Sequence, residues 1–254
     1  MKIAIIGVGH MGSAMIEGLS KNPNNQLIAE NHKNPRVEKL SKKYNFKLVN
    51  TIPELVKTEP EIVILTLPAN VTLEVAHQLQ DLNSLFISAA AGISYYDLSQ
   101  ALPNKAIARI IPNTPVSIQA GTIGLFTPQN MSVSYKNKAV HLLSQLGEIV
   151  EVEEDKLSIV GTIGGCGPAF VDVFIEALNE AGVLNGLDSK TATKLAASMV
   201  KGSADLALKS SKNPTELLNE VCSPGGTTIK GVVALEKSGF RYSVINAVNK
   251  ANQN

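Results

Sequence analysis

A run of apolar residues, Ile3, Ala4, Ile5 and Ile6, leads straight into Gly7-x-Gly9-x-x-Gly12, and an amphipathic segment follows. An uninterrupted apolar run suits a strand covered on both faces, as in the middle of a parallel sheet. The glycines then have separate tasks. Gly7 permits a tight turn, Gly9 leaves the backbone open to a ligand, and Gly12 lets the next helix pack close to the strand. That helix is expected from about Met11 to Ser20, with Met11, Ala14, Met15, Gly18 and Leu19 on one face. Its first N–H groups, around His10 and Met11, have no partner inside the helix and are suited to an anion. The glycine spacing alone recurs by chance. A buried strand before it and a helix after it make it a dinucleotide-binding βαβ unit.

Strand-like and helix-like segments alternate onward to about residue 152. Strands are expected at 2–7, 26–29, 46–49, 61–67, 85–89, 105–110, 122–126 and 147–152, with helices between most of them. Such alternation predicts an α/β Rossmann-type domain over 1–155, a parallel sheet with helices on both faces. From 156 to 254 the pattern is helical, with segments at 168–181, 189–210, 214–221, 228–239 and 241–252. Apolar and small residues surround these helices more fully than one shared core needs. The expectation is an all-helical C-terminal dimerisation domain that buries against a second subunit, giving a homo-oligomer of at least two chains.

The formal net charge of +1 offers no broad field for nucleic acid or acidic lipid. Cys166 and Cys222 have no metal-ligand spacing, and the scattered histidines add no metal site. No segment reads as apolar for long enough to cross a membrane, and no signal peptide is apparent. A cytoplasmic protein without nucleic-acid or membrane partners is the expectation. Arginine is scarce, at positions 36, 109 and 241 only, so each one merits attention as a binder of carboxylate or phosphate.

The end of the second strand selects the cofactor. Glu30 would bind ribose hydroxyls and favour NADH, whereas Asn31, His32 and Lys33 could cradle a 2′-phosphate and favour NADPH. Three potential phosphate donors in one loop tip the reading to NADPH, with NADH possible; Lys33 and Arg36 also read as ordinary solvated charges. Leu67 and Pro68 after the fourth strand, and Ala91 and Gly92 after the fifth, lie at carboxyl ends of strands, where ligands gather in open sheets. Beyond these, three segments stand out: Arg109 to Pro115, with Asn113 and Thr114 between two prolines; Gly164 to Pro168, a glycine hinge before an apolar helix; and Cys222-Ser223-Pro224-Gly225-Gly226-Thr227-Thr228 before another helix. The last reads either as a carboxylate site or as an elaborate helix cap.

Together these segments resemble the pyrroline-5-carboxylate reductase family along nearly the whole chain. The resemblance rests on GVGHMGSAMIEGL from Gly7, ISAAAGIS from Ile87, IPNTP from Ile111, GPAFVDVFIEAL from Gly167 and VCSPGGTTIKGV from Val221. It implies reduction of the cyclic imine Δ1-pyrroline-5-carboxylate to L-proline with NAD(P)H. It also implies a Rossmann domain and a helical domain that forms intertwined dimers. Gly9, His10 and Met11 would cover the pyrophosphate, and Asn113 and Thr114 would lie near nicotinamide and substrate. Ser223, Gly225, Gly226, Thr227 and Thr228 would hold the substrate carboxylate, with the Thr228 hydroxyl near the ring nitrogen. The chain departs from the family pattern at Leu67, Gly164, Cys166, Ser211, Lys212 and Asn213. A paralogue reducing a related imine, a 3-hydroxyacid-type dehydrogenase using Lys201, and a non-catalytic nucleotide sensor are the alternatives.

Overall fold

The computed structural model describes residues 1–253, so Asn254, the end of the expected helical region, lies outside them. The chain divides into two compact units, with the boundary between Gly165 and Cys166.

The first unit holds eight strands: β1 (Lys2–Ile6), β2 (Gln26–Glu30), β3 (Lys47–Val49), β4 (Ile62–Leu65), β5 (Leu85–Ser88), β6 (Ala106–Ile111), β7 (Gly121–Phe126) and β8 (Gly147–Glu151). They form one sheet in the order β3-β2-β1-β4-β5-β6-β7-β8. The order reverses between β1 and β4, which is where an open α/β sheet leaves a crevice. Both strands are apolar because both of their faces are covered; Ile3 to Ile6 of β1 and every residue of β4 are buried. On one face, α1 (His10–Leu19), α2 (Pro35–Tyr44) and α6 (Val133–Leu143) bring Met15, Ile16, Leu19, Val37 and Leu142 onto Ile3, Ile5 and Ile64. On the other, α3 (Ile52–Val56), α4 (Ala69–His77) and α5 (Tyr95–Ala101) bring Leu55, Ala76 and Leu98 onto Ile6, Val63 and Phe86.

Local signals set the helix starts. Asn34 accepts the Arg36 N–H ahead of α2, and Thr51 caps α3. Ser94 and Asp97 form a reciprocal capping box at α5.

The sheet departs from the all-parallel expectation at one pair: β7 runs antiparallel to β6. Only a 3₁₀ turn, Thr114–Ile118, joins them. A parallel crossover needs about a dozen residues or more, usually with a helix, so the chain doubles back instead. β8 then pairs parallel to β7 after α6.

A second correction concerns residues 157–167. The stretch Gly164 to Pro168 was expected to be a glycine hinge before an apolar helix. Instead α7 (Leu157–Gly161) passes into a π-helical turn, Thr162–Cys166. The helical run Glu154–Leu184 is therefore long and apolar enough, by length and composition, to cross a membrane, contrary to the expectation that no segment is. A helix can continue through glycine at a cost of about 1 kcal/mol per residue, so glycines alone did not end it.

The second unit contains α8 (Gly167–Leu184), α9 (Ser189–Lys209), α10 (Pro214–Val221), α11 (Thr227–Lys237) and α12 (Phe240–Ala251). Helices α8 and α9 approach closely at small residues: a Cβ on Gly182 would lie 2.8 Å from the Ala192 Cβ. Among the described residues of this unit only Ala192 and Ala196 are buried. Val173, Leu184 and Leu208 are 66%, 87% and 72% exposed, leaving an apolar surface that a single copy of the unit does not cover.

Candidate active site

The glycine turn is built by two glycines that packing demands and one that it does not. Gly7 has φ +91°, and a Cβ there would meet the Leu67 Cδ2 at 2.7 Å. A Cβ on Gly12 would lie 2.1 Å from the Gly7 carbonyl oxygen. At Gly9 a Cβ would meet nothing within 4 Å. Gly9 is also the N-cap of α1 and supplies no side-chain cap, so the first N–H groups of α1 are left for another acceptor. Open space, exposed backbone and unpaired donors together suit a pyrophosphate.

The loop after β2 closes onto this turn. The Val8 N–H donates to Asn31 Oδ1 at 3.0 Å, so Asn31 is held against the turn, while His32 and Lys33 are exposed. Glu30 is buried, and burial raises its carboxyl pKa, with nearby His32 offsetting part of the shift. Strand alternation puts Glu30 on the face of Ile28, beside the second core cluster.

Other expected cofactor positions fall at the carboxyl ends of neighbouring strands. Leu67 is half-buried against Gly7, and Pro68 stands at the N-cap position of α4 without a side-chain cap. Ala91 and Gly92 are exposed beyond β5, with Gly92 at φ +79° and open space where a Cβ would sit. Thr114 is exposed at the start of the 3₁₀ turn. Asn113 differs from these: it is buried, and both ends of its carboxamide are engaged. Its Oδ1 accepts from the Thr122 N–H at 2.8 Å, and its Nδ2 donates to the Gly164 carbonyl at 2.9 Å. In this geometry Asn113 braces the π turn.

In the second unit the loop Ser223–Thr228 precedes α11. Gly225 takes φ +70°, and the Gly226 N–H donates to the Ser223 carbonyl at 3.0 Å. A Cβ on Gly226 would collide with Ser223 Oγ at 2.4 Å, which accounts for the second glycine. The N-cap position is Gly226, and no side chain caps the helix. The Ser223, Thr227 and Thr228 hydroxyls have no protein partner among the described residues, and all three residues are exposed. The geometry therefore speaks against an elaborate cap. Free hydroxyls beside free N–H groups can receive a carboxylate.

Three features escaped sequence reasoning. Thr66 donates its hydroxyl to the Gly7 carbonyl at 2.6 Å, tying β4 to the turn. Arg36 donates to the Val8 carbonyl and to Ser13 Oγ. Arg109 pairs with Glu154. Arginine scarcity drew attention to the two arginines, but nothing local named their partners.

Residues 154–254 match the family model for pyrroline-5-carboxylate reductase dimerisation, and residues 2–92 match that for NADP oxidoreductase, coenzyme F420-dependent. The pyrroline-5-carboxylate reductase of Synechocystis is 34% identical over 256 residues, covering 99% of this chain and 96% of that protein. The Aquifex aeolicus enzyme of that name is 31% identical, covering 100% and 96%. Among solved structures, the pyrroline carboxylate reductase of Plasmodium falciparum with NADP bound superposes with a TM-score of 0.85 at 27% identity, covering 100% of this chain and 96% of that one. The likeness thus runs through the glycine turn, the dimerisation helices and the loop before α11 alike, and the chain belongs to the pyrroline-5-carboxylate reductase family.

Proposed function

We propose that this chain reduces Δ1-pyrroline-5-carboxylate to L-proline, with NADPH as the preferred hydride donor and NADH as a second one. The observation that carries the substrate assignment is the Ser223–Thr228 loop, with its unpartnered hydroxyls and uncapped helix start. The Plasmodium falciparum relative was solved with NADP bound, which supports the cofactor assignment.

Bound NADPH supplies a hydride to the carbon of the C=N bond. The chain's own work is to bind and orient. Gly9, His10 and Met11 would receive the pyrophosphate, with Gly7 and Gly12 shaping the turn. Asn31, His32 and Lys33 would surround the adenosine ribose. Leu67, Pro68, Ala91, Gly92 and Thr114 would line the path toward the nicotinamide. Asn113 contributes by holding the Gly164 turn. Ser223, Gly225, Gly226 and Thr227 would hold the substrate carboxylate. The Thr228 hydroxyl would stand beside the ring nitrogen, which gains one proton as the neighbouring carbon gains the hydride. That proton arrives with a protonated imine or through Thr228 and a water.

The protein acts as a homo-oligomer, at least a dimer, and the exposed apolar faces of α8 to α12 support this. We place it in the cytoplasm, without nucleic-acid or membrane partners. The near-neutral net charge supports the former, and the match of the apolar run to a dimerisation family model supports the latter.

Loss of nicotinamide absorbance, with pyrroline-5-carboxylate and NADPH and then NADH, tests the reading. Oxidation is expected with both, faster with NADPH. No oxidation with either, despite measurable nucleotide binding, would overturn it. Thr228→Ala should lower kcat by about tenfold or more while NADPH affinity stays near wild type.

A further inference from the structure

The loop after β2 leaves the choice between the two nicotinamide cofactors open, and the donors apparent in sequence, His32 and Lys33, are exposed, with no hydrogen bond holding either side chain among the described residues. Arg36, in the first turn of α2, is exposed too, but two hydrogen bonds hold its guanidinium. Its Nη2 donates to the Val8 carbonyl, and its Nη1 donates to Ser13 Oγ at 3.1 Å. Ser13 in turn donates to the Gly9 carbonyl at 2.6 Å, and Asn31 holds the Val8 N–H from the opposite side. The guanidinium is thus seated against the glycine turn and the end of β2 together.

Its charge is uncompensated. Arg109 pairs with Glu154 and Arg241 with Glu236, but Arg36 has no carboxylate partner among the described residues. Of its five N–H donors two are used, so three remain. Glu30, the one acidic residue at the strand end, is buried on the face of Ile28. A fixed, unpaired guanidinium with spare donors is suited to a dianionic phosphate, and a free hydroxyl gains far less from it.

We propose that Arg36 is the residue that makes this site prefer a ribose 2′-phosphate to a free 2′-hydroxyl. The inference rests on the reading of the glycine turn as a nicotinamide-dinucleotide site. It assigns the preference to one residue on a helix, ahead of the loop residues Asn31, His32 and Lys33.

Calorimetric binding of 2′,5′-ADP and of 5′-AMP to the full chain separates the 2′-phosphate from the rest of the nucleotide, and needs no turnover. Arg36→Gln should weaken 2′,5′-ADP by about tenfold or more and leave 5′-AMP within about twofold. Lys33→Gln should weaken 2′,5′-ADP by less than Arg36→Gln does. The NADPH-to-NADH ratio of kcat/KM should fall in parallel in Arg36→Gln. An equal loss for both nucleotides would make Arg36 a mere brace of the turn and overturn the proposal. So would a selective loss that appears in Lys33→Gln and not in Arg36→Gln. If Arg36→Gln does not fold, Arg36→Lys replaces it: a several-fold drop in selectivity supports the assignment, because a lysine lacks the planar fork, and unchanged selectivity overturns it. Absence of imine reduction alongside Arg36-dependent selectivity would overturn the reductase reading while still supporting Arg36.

Discussion

Arg109 on β6 and Glu154, three residues beyond β8, meet at 2.5 Å, and the same carboxylate oxygen accepts the backbone N–H of Tyr95 at the start of α5. One carboxylate therefore joins a central strand, a helix start and the segment that leads into α7. The Arg109 side chain is only 10% exposed, and its Nε has no hydrogen-bond partner among the described residues. Glu154→Ala would leave this cation buried and unpaired. It should destabilise the first unit by about 2 kcal/mol, less than for a fully buried pair because Glu154 is partly exposed. Urea denaturation measures this, and Arg109→Met combined with Glu154→Ala should recover part of the loss.

The glycines of the turn separate stability from binding. Gly12→Ala forces a Cβ against a backbone oxygen and should cost about 2 kcal/mol. Gly9→Ala places its methyl in open space, so stability should hold within about 1 kcal/mol, the cost of a poorer cap. NADPH affinity should nevertheless collapse in Gly9→Ala. Thermal unfolding and calorimetric titration of both variants check the contrast.

Asn113→Ala removes acceptor and donor together, leaving the Thr122 N–H and the Gly164 carbonyl unpaired. A loss of about 2 kcal/mol is expected, with faster amide hydrogen exchange around the π turn. Unchanged exchange there would contradict the bracing role.

Burial raises the pKa of Glu30, so the folded chain holds that proton more tightly than the unfolded chain does. Stability then falls as pH rises above the ordinary carboxylate value of 4.5. Glu30→Gln should be more stable than the wild type at neutral pH, and the difference should shrink as the pH falls toward that value. Denaturation midpoints across this range check the sign. A gain that grows toward acid would contradict it.

Much of the first unit was legible because its signals are local. All eight strands were expected close to where they lie, since short apolar runs bounded by turns mark buried strands whatever packs on them. The glycine turn was legible for the same reason, and the long Val221-to-Val232 motif carried the family. The antiparallel β7 was less legible, although the short link through Pro115 contained the reason. The helical course of the glycine-rich stretch was missed because propensity is a weak guide where tertiary contacts, here the Asn113 bond to Gly164, support the backbone.

The sequence by itself determined the order of strands and helices, the dinucleotide turn, the apolar surplus of the C-terminal helices and the family. Only the tertiary structure decided which distant residues meet. Arg36 reaches Val8 across 28 residues, Asn113 reaches Gly164 across 51, and Arg109 reaches Glu154 across 45. Periodicity and capping act within a few residues, so they specify elements. Partners so distant in the chain are chosen by how the elements pack, and for that reason no local signal showed that Arg36 meets the glycine turn.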